Sequence, residues 1–341
     1  MSAIYNAREE LTKGHDSFTA MLVHRLEETP EREAFRYPGA DGEWVSLTWA
    51  QVGEEATLLA AGLIALGSES EQRVAIAGDT SMKWILADLG IALAGGAVTT
   101  VYSSTGAEDV AYILSDSNSH ILFAENEGQL AKVLEQRDNL PELHKVVLFE
   151  GEGDGDFSIS LDALRELGRE ALAADPNLVK ERAAAVRPDH LATLIYTSGT
   201  TGKPKGVEII QESWGYCGKA LSSLDVMSAD DVQLLWLPMA HVFGSVLLTC
   251  QIELGFMTAV DGRVPKIMEN CAVIKPTFMG AVPRIFEKVH AAITAMARAG
   301  GPEKVEGLAW GVSVGQRYHQ AEIDGVEPDE ALKAEYKMAD E

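Results

Sequence analysis

The sequence has 341 residues and a mass of about 36.7 kDa, enough for two lobes or one large α/β domain with a sizeable core. Hydrophobic residues make up 46% and charged residues 23%, which excludes a mainly disordered chain. The 28 Lys and Arg against 52 Asp and Glu leave a formal charge of −24, which argues against a general nucleic-acid binder and requires any anionic ligand to be met by a local cluster of donors.

Ser17 opens a helical pattern, SFTAMLVHRLEE, that Pro30 closes. Two short extended runs, EAFRYP and EWVSLTW, flank a Gly39–Gly42 turn, and Thr48 caps an apolar-periodic helix ending at Gly67. Strand and helix signals then alternate: RVAIAG, a helix over 81–94, AVTTVY, a helix over 108–115, HILFA, a helix to about Arg137, and KVVLF. Helices of this length between strands predict parallel βαβ units in a layered α/β fold. GEGDGDFS at 151–158 reads as a solvated acidic loop, whose carboxylates would repel phosphate.

A second series starts near Pro188 with the strand LATLIYT, a Gly/Thr/Lys loop and the strand GVEII. It continues with a helix over about 212–224, QLLWLP, a helix over 245–251, MTAV, a helix over 264–271, the strand TFMGAV and a long helix from Pro283. The pattern after Gly300-Gly301 is helical and polar. The expected division is 1–185, an α/β subdomain with the N-terminal helix and hairpin; 186–300, a second α/β subdomain with the loop; and 301–341, a helical segment. The ending lacks a capping signal or closing strand, so the chain reads as interrupted there.

Cys217, Cys250 and Cys271 fit neither a metal nor a disulfide framework and read as reduced thiols of the cytosol. The first residues lack an apolar run of signal-peptide length, and the most apolar stretch, 85–101, is interrupted by Asp88 and glycines, short of a membrane span. A cytoplasmic protein is expected.

Residues 196–207, YTSGTTGKPKGV, directly follow a predicted strand. Glycines let backbone N–H groups converge on a ligand, Thr197, Ser198, Thr200 and Thr201 add hydroxyls, and Lys203 and Lys205 add positive charge. This is phosphate-cradling chemistry. It is not a Walker A loop, because only Thr200 and Thr201 separate Gly199 from Gly202 and Pro204 follows the lysine. Gly311-Val-Ser-Val-Gly315 matches a hydrolase nucleophile elbow in letters, but its surroundings read as helix and Ser313 has no strand before it.

YTSGTTGKPKGV resembles the signature loop of the adenylate-forming (AMP-binding) superfamily, which includes acyl-CoA synthetases, firefly-type luciferases and peptide-synthetase adenylation domains. LPMAHVFG at 237–244 is similar to that superfamily's second core motif, and DGRVPKI and KPTFMGAVPRIFEKV at 261–267 and 275–289 resemble long-chain fatty acyl-CoA synthetases in particular. The resemblance implies the layered αβαβα N-terminal domain of that fold, with parallel-rich sheets, incomplete at its C-terminus. It implies two steps: a carboxylate attacks the α-phosphate of ATP, and the thiol of CoA then displaces AMP. The loop residues Thr197, Ser198, Gly199, Thr200, Thr201, Gly202, Lys203 and Lys205 would hold the β- and γ-phosphates, with Thr200 on the Mg²⁺ side. His241 would orient the carboxylate, with Val242, Phe243 and Gly244 as one wall of the acyl site and Gly280, Ala281 and Val282 as another. Lys203, Lys205 and His241 are therefore the catalytic candidates, while Arg284 would meet either a phosphate or its own helix neighbours.

The family's Tyr-Gly-x-Thr-Glu motif, its ribose-binding Asp and the lysine of its mobile C-terminal domain have no counterparts here. The expectation is an ATP- and CoA-dependent long-chain fatty acid–CoA ligase represented by an N-terminal portion, with impaired or no activity alone. The alternatives are adenylation of another acid, aryl or reductase-type, or a non-catalytic nucleotide- or acyl-binding fragment. An unpaired sheet edge at the truncated end would invite self-association. Peripheral membrane association is left open, since long acyl chains partition into bilayers but no basic amphipathic helix demonstrates it.

Overall fold

The computed structural model describes residues 14–197 and 202–340. The chain divides into two compact units between Gly280 and Ala281.

The first unit opens with α1 (Phe18–Glu28), where Ser17 accepts from the Ala20 N–H as the N-cap. The antiparallel pair β1 (Glu33–Pro38) and β2 (Trp44–Thr48) follows. α2 (Trp49–Ala65) begins with a capping box in which Thr48 and Gln51 bond each other's backbone N–H. Next come β3 (Arg73–Ala77), α3 (Met82–Leu93), β4 (Ala97–Val101), α4 (Ala107–Asp116), β5 (Ser119–Ala124), α5 (Glu127–Glu135) and β6 (Lys145–Leu148). Each expected element of this series is present within a few residues.

Sequence reading passed over the next stretch, which holds β7 (Ser158–Ser160), α6 (Leu161–Ala174) and α7 (Leu178–Ala184). The acidic loop before β7 folds on itself: Asp154 Oδ1 accepts from the N–H groups of Asp156 and Ser158, so its carboxylate is spent on its own turn.

Strands β3 to β7 join β8 (Leu191–Thr197) and β9 (Lys205–Ile210) in one sheet of order β7-β6-β5-β3-β4-β8-β9. All its pairs are parallel except the β8–β9 hairpin. Alternation along the strands sends Ala75, Ala77, Leu122, Ala124, Val146, Leu148, Leu194 and Tyr196 to one face, against Val110, Leu114, Leu130 and Val133 of α4 and α5. Buried residues of α2 and α3, among them Leu59, Leu63, Trp84 and Leu89, contribute further core. Gly168 of α6 is needed where α2 and α6 cross, since a Cβ there would lie 2.1 Å from the Leu58 carbonyl oxygen.

Beyond β9 come α8 (Gln211–Ser222), β10 (Val232–Leu235), α9 (Val242–Leu254), β11 (Met257–Val260) and α10 (Ile267–Ile274). β10 and β11 build a second sheet with the N-terminal hairpin, in the order β10-β11-β1-β2. The expected subdivision near residue 185 is thus crossed by both sheets: β8 and β9 complete the larger one, and β1 and β2 the smaller. α9 packs on the smaller sheet, where Gln251 Nε2 donates to the Ala34 carbonyl at 2.8 Å. The strand expected over 277–282 reduces to one bridge, Gln233 with Phe278. Pro276 directly precedes that run and cannot donate to a ladder, and Gly280 interrupts it.

The second unit contains α11 (Pro283–Ala299), α12 (Pro302–Ile323) and α13 (Glu330–Asp340). α12 and α13 are tied by Tyr318 stacking on Tyr336, with centroids 4.1 Å apart, and by an Arg317–Glu335 ion pair at 2.5 Å. Ser313 lies inside the uninterrupted α12, so the nucleophile-elbow reading fails for want of a strand and turn. No described helix is long and apolar enough to cross a membrane.

Candidate active site

The β8–β9 hairpin carries the phosphate-type loop at the C-terminal edge of the larger sheet. Ladder pairing runs to Thr197 with Lys205 and Tyr196 with Gly206, so both strands are held up to the loop. Ser198, Gly199, Thr200 and Thr201 lie outside the described residues. Gly202 has φ +118°, a left-handed value that L side chains rarely adopt, which fixes glycine there.

Lys203 Nζ stands 4.7 Å from the centroid of the Tyr112 ring on α4. Tyr112 meets Tyr196 edge-on at 6.5 Å, and the Tyr196 hydroxyl donates to Asp116 Oδ2 at 2.7 Å. Burial, then the neighbouring Asp116, raises the Tyr196 phenol above its ordinary pKa, so it remains a donor at physiological pH. A Cβ at Gly206 would approach Tyr196 Cζ to 3.0 Å, so any side chain there needs that ring to give by a few tenths of an ångström.

His241 is the N-cap of α9, and its Nδ1 accepts from the Phe243 N–H at 3.2 Å. A neutral ring used this way carries its proton on Nε2, which leaves that nitrogen as a donor. The turn before it is anchored from the larger sheet and the loop beyond β3. Thr80 Oγ1 donates to the Leu237 carbonyl at 2.7 Å and accepts from the Met239 N–H, and Thr100 Oγ1 donates to the Ala240 carbonyl at 3.1 Å.

His241 and Val242 line one groove with Tyr196, Thr197, Pro204, Val207 and Ile209 of the hairpin region. Its volume, about 680 Å³, is within the range of small-molecule sites. The other expected residues of 237–244 do not line it: Gly244 is buried against Pro238, whose carbonyl oxygen would lie 2.6 Å from an added Cβ. Gly280 packs on α9, where a Cβ would come within 2.5 Å of Leu247 Cδ1. Ala281 and Val282 open the second unit, and Arg284 lies in the first turn of α11.

The opposite wall was missed by sequence reading. Tyr102, Ser104, Thr105, Gly106, Asp109 and Ile113 come from the end of β4 and the start of α4. Their signal was the Ser-Ser-Thr-Gly run between a strand and a helix, the setting in which free N–H groups and hydroxyls gather. This loop is braced by Lys132 of α5, whose Nζ donates to the carbonyls of Ser103 at 2.7 Å and Thr105 at 2.8 Å.

The residue pattern and groove can be set beside known proteins. The AMP-binding enzyme family matches residues 22–323. The chain belongs to this family. Among its relatives, the long-chain-fatty-acid–CoA ligase FadD15 of Mycobacterium bovis is 32% identical over 282 residues, covering 81% of this chain and 45% of FadD15. The long-chain-fatty-acid–CoA ligase ACSBG2 of Xenopus laevis is 26% identical, covering 84% of this chain and 40% of that protein. The chain therefore spans less than half the length of these curated relatives. Among solved structures, the N-terminal domain of FACL13 from Mycobacterium tuberculosis superposes with a TM-score of 0.63 at 25% identity, covering 80% of this chain and 64% of that one. The anthranilate CoA ligase AuaEII, at 22% identity and a TM-score of 0.66, shares the fold over 77% of this chain and 49% of its own.

Proposed function

We propose that this chain carries the triphosphate- and acyl-recognition part of a long-chain fatty acid–CoA ligase. The observation that carries the reading is one groove in which the base of the phosphate-type hairpin, the His241 turn and an apolar lining of Ile113, Ile195, Val207, Ile209 and Val242 meet. That FadD15 and ACSBG2 are long-chain-fatty-acid–CoA ligases supports the substrate class.

In this reading the 197–205 loop, with Thr197, Gly202, Lys203 and Lys205 and the intervening Ser198, Gly199, Thr200 and Thr201, holds the β- and γ-phosphates of ATP. A carboxylate oxygen of the fatty acid bonds to the α-phosphorus, and the bond to pyrophosphate breaks. The thiol of CoA then bonds to the acyl carbon and AMP leaves. Positioned cations and N–H donors lower the first barrier by stabilising charge that accumulates on phosphoryl oxygens. His241 Nε2–H would donate to the substrate carboxylate and so orient it, while the apolar lining would favour longer chains by about 0.8 kcal/mol per buried CH₂. Hydroxyl and carboxylate oxygens at Thr105 and Asp109, with Thr200, are the hard donors that suit Mg²⁺, which would supply charge neutralisation alongside the triphosphate. A cytoplasmic setting completes the proposal.

The test is ATP–pyrophosphate exchange by the 1–341 protein with acetate, benzoate, decanoate and palmitate. Weak exchange confined to the long acids, in keeping with impaired activity of this portion alone, is the expected result. Exchange confined to benzoate would replace the fatty-acid reading, and no exchange by a folded protein would reduce it to a nucleotide- or acyl-binding role.

A further inference from the structure

The opposite, N-terminal edge of the larger sheet carries a different kind of chemistry. β5 and β6 are parallel neighbours in the register Ile121 with Lys145, so the residues one step earlier, His120 and His144, stand side by side. The His144 N–H donates to the His120 carbonyl at 2.8 Å and locks that pairing. Glu142 and His144 are exposed and Leu143 is buried; the register puts the two imidazoles on the same side, and the turn before β6 brings the Glu142 carboxylate to them. The imidazole centroids lie 5.2 Å apart, and one ligand atom from each of His120, Glu142 and His144 falls within 4.8 Å of the others.

We propose that His120, Glu142 and His144 bind one divalent transition-metal ion of the Zn²⁺ class at the sheet edge opposite the phosphate-type groove. Two imidazole nitrogens and a carboxylate oxygen are a borderline-soft set that suits Zn²⁺, Co²⁺ or Ni²⁺ and disfavours Mg²⁺, which selects oxygen. Tetrahedral coordination with bonds of about 2.0–2.1 Å needs ligand atoms about 3.3 Å apart. The ligand atoms, now within 4.8 Å of one another, would close up through the exposed side chains of Glu142 and His144. The Asn118 amide lies 3.3 Å from His120 Nε2; with the ion on His120 Nδ1, the Nε2–H would donate to the Asn118 amide oxygen in its flipped orientation. Three protein ligands leave a position for water, and the overall charge of −24 favours a dication. The bound ion would staple the starts of β5 and β6 across the intervening α5. The proposal stands on this geometry alone, whatever the acid activated at the other edge.

Calorimetric titration of metal-stripped 1–341 protein with Zn²⁺, in a large excess of Mg²⁺, tests it. One equivalent should bind with micromolar affinity and raise the thermal midpoint by a few degrees. His144→Ala, at an exposed position that does not threaten folding, should weaken binding about 10–100-fold, and Glu142→Gln about tenfold or less. Binding unchanged in His144→Ala would overturn the site, as would binding abolished instead by alkylation of the cysteines, which assigns the ion to thiolates. Binding no tighter than millimolar would mark an adventitious ion only and equally overturn it.

Discussion

The two edges of the larger sheet differ in which donors they gather. At the C-terminal edge, loops after β4 and β8 are rich in serine, threonine and glycine, and their hydroxyls, N–H groups and two lysines suit an oxyanion. At the N-terminal edge, the segments entering β5 and β6 bring two imidazoles and a carboxylate together. In a parallel sheet all strands deliver their C-terminal ends to one side, so that edge can assemble a site from several loops. Elements far apart in sequence thus meet there, which is why Tyr102–Asp109 shares a groove with Tyr196, Thr197, Pro204 and Val207.

The largest expected effect breaks the C-terminal edge. Lys203→Ala should lower ATP affinity about tenfold or more, read by calorimetry, because it removes a cation from a strongly acidic chain together with its contact to Tyr112. An unchanged affinity would remove Lys203 from the phosphate site. Gly206→Val should cost about 1 kcal/mol in thermal or urea unfolding, since the added Cβ presses on the Tyr196 ring, which must shift and so disturb its bond to Asp116. A wild-type midpoint would show that the Tyr196 stack is not rigid.

Asp88 on α3 sharpens the comparison from the other side of the sheet. It shares a small cavity with Phe18, Ile91, Val98 and Leu248, and desolvation raises its carboxyl from 3.8 to about 7. In the fold it therefore keeps its proton to about pH 7, while in the unfolded chain it loses it near pH 4. Unfolding releases a proton across that window, so this group's contribution is fully present below about pH 4 and lost as pH rises towards 7. Asp88→Asn should stabilise the protein by about 1–2 kcal/mol at pH 8, a figure discounted for partial water access, and by little at pH 4. Equal gains at both pH values would contradict this. The smallest effect is expected for Lys132→Met: about 1 kcal/mol of stability and a two- to threefold loss of ATP affinity, through a looser 103–105 loop. Loss of stability with no loss of affinity would separate that loop from the site.

What could be read in advance followed from what is contiguous. The loop chemistry lies in consecutive residues, 197–205, and the helix starts at Ser17, Thr48 and Ser81 are marked by capping side chains. The wall of Tyr102–Asp109 was hidden because only the β3-β4-β8 strand order brings it to the hairpin. β7 was hidden because Ser-Ile-Ser is short and polar and follows a run of glycines and aspartates. The expected walls at Gly244 and Gly280 prove to be close-packing positions, where small size answers to α9 and its turn. The imidazole pair was invisible because His120 and His144 become neighbours only through the β5–β6 register.

The central claim is that ATP occupies the C-terminal-edge groove. Photo-crosslinking of 1–341 protein with an azido-ATP analogue, followed by peptide mapping, tests it most directly. Labels on peptides containing 102–109, 196–207 and 240–243, competed by ATP, are the predicted result. ATP-competed labelling at 118–120 and 142–145, or in 302–340, with none at the hairpin, would contradict it.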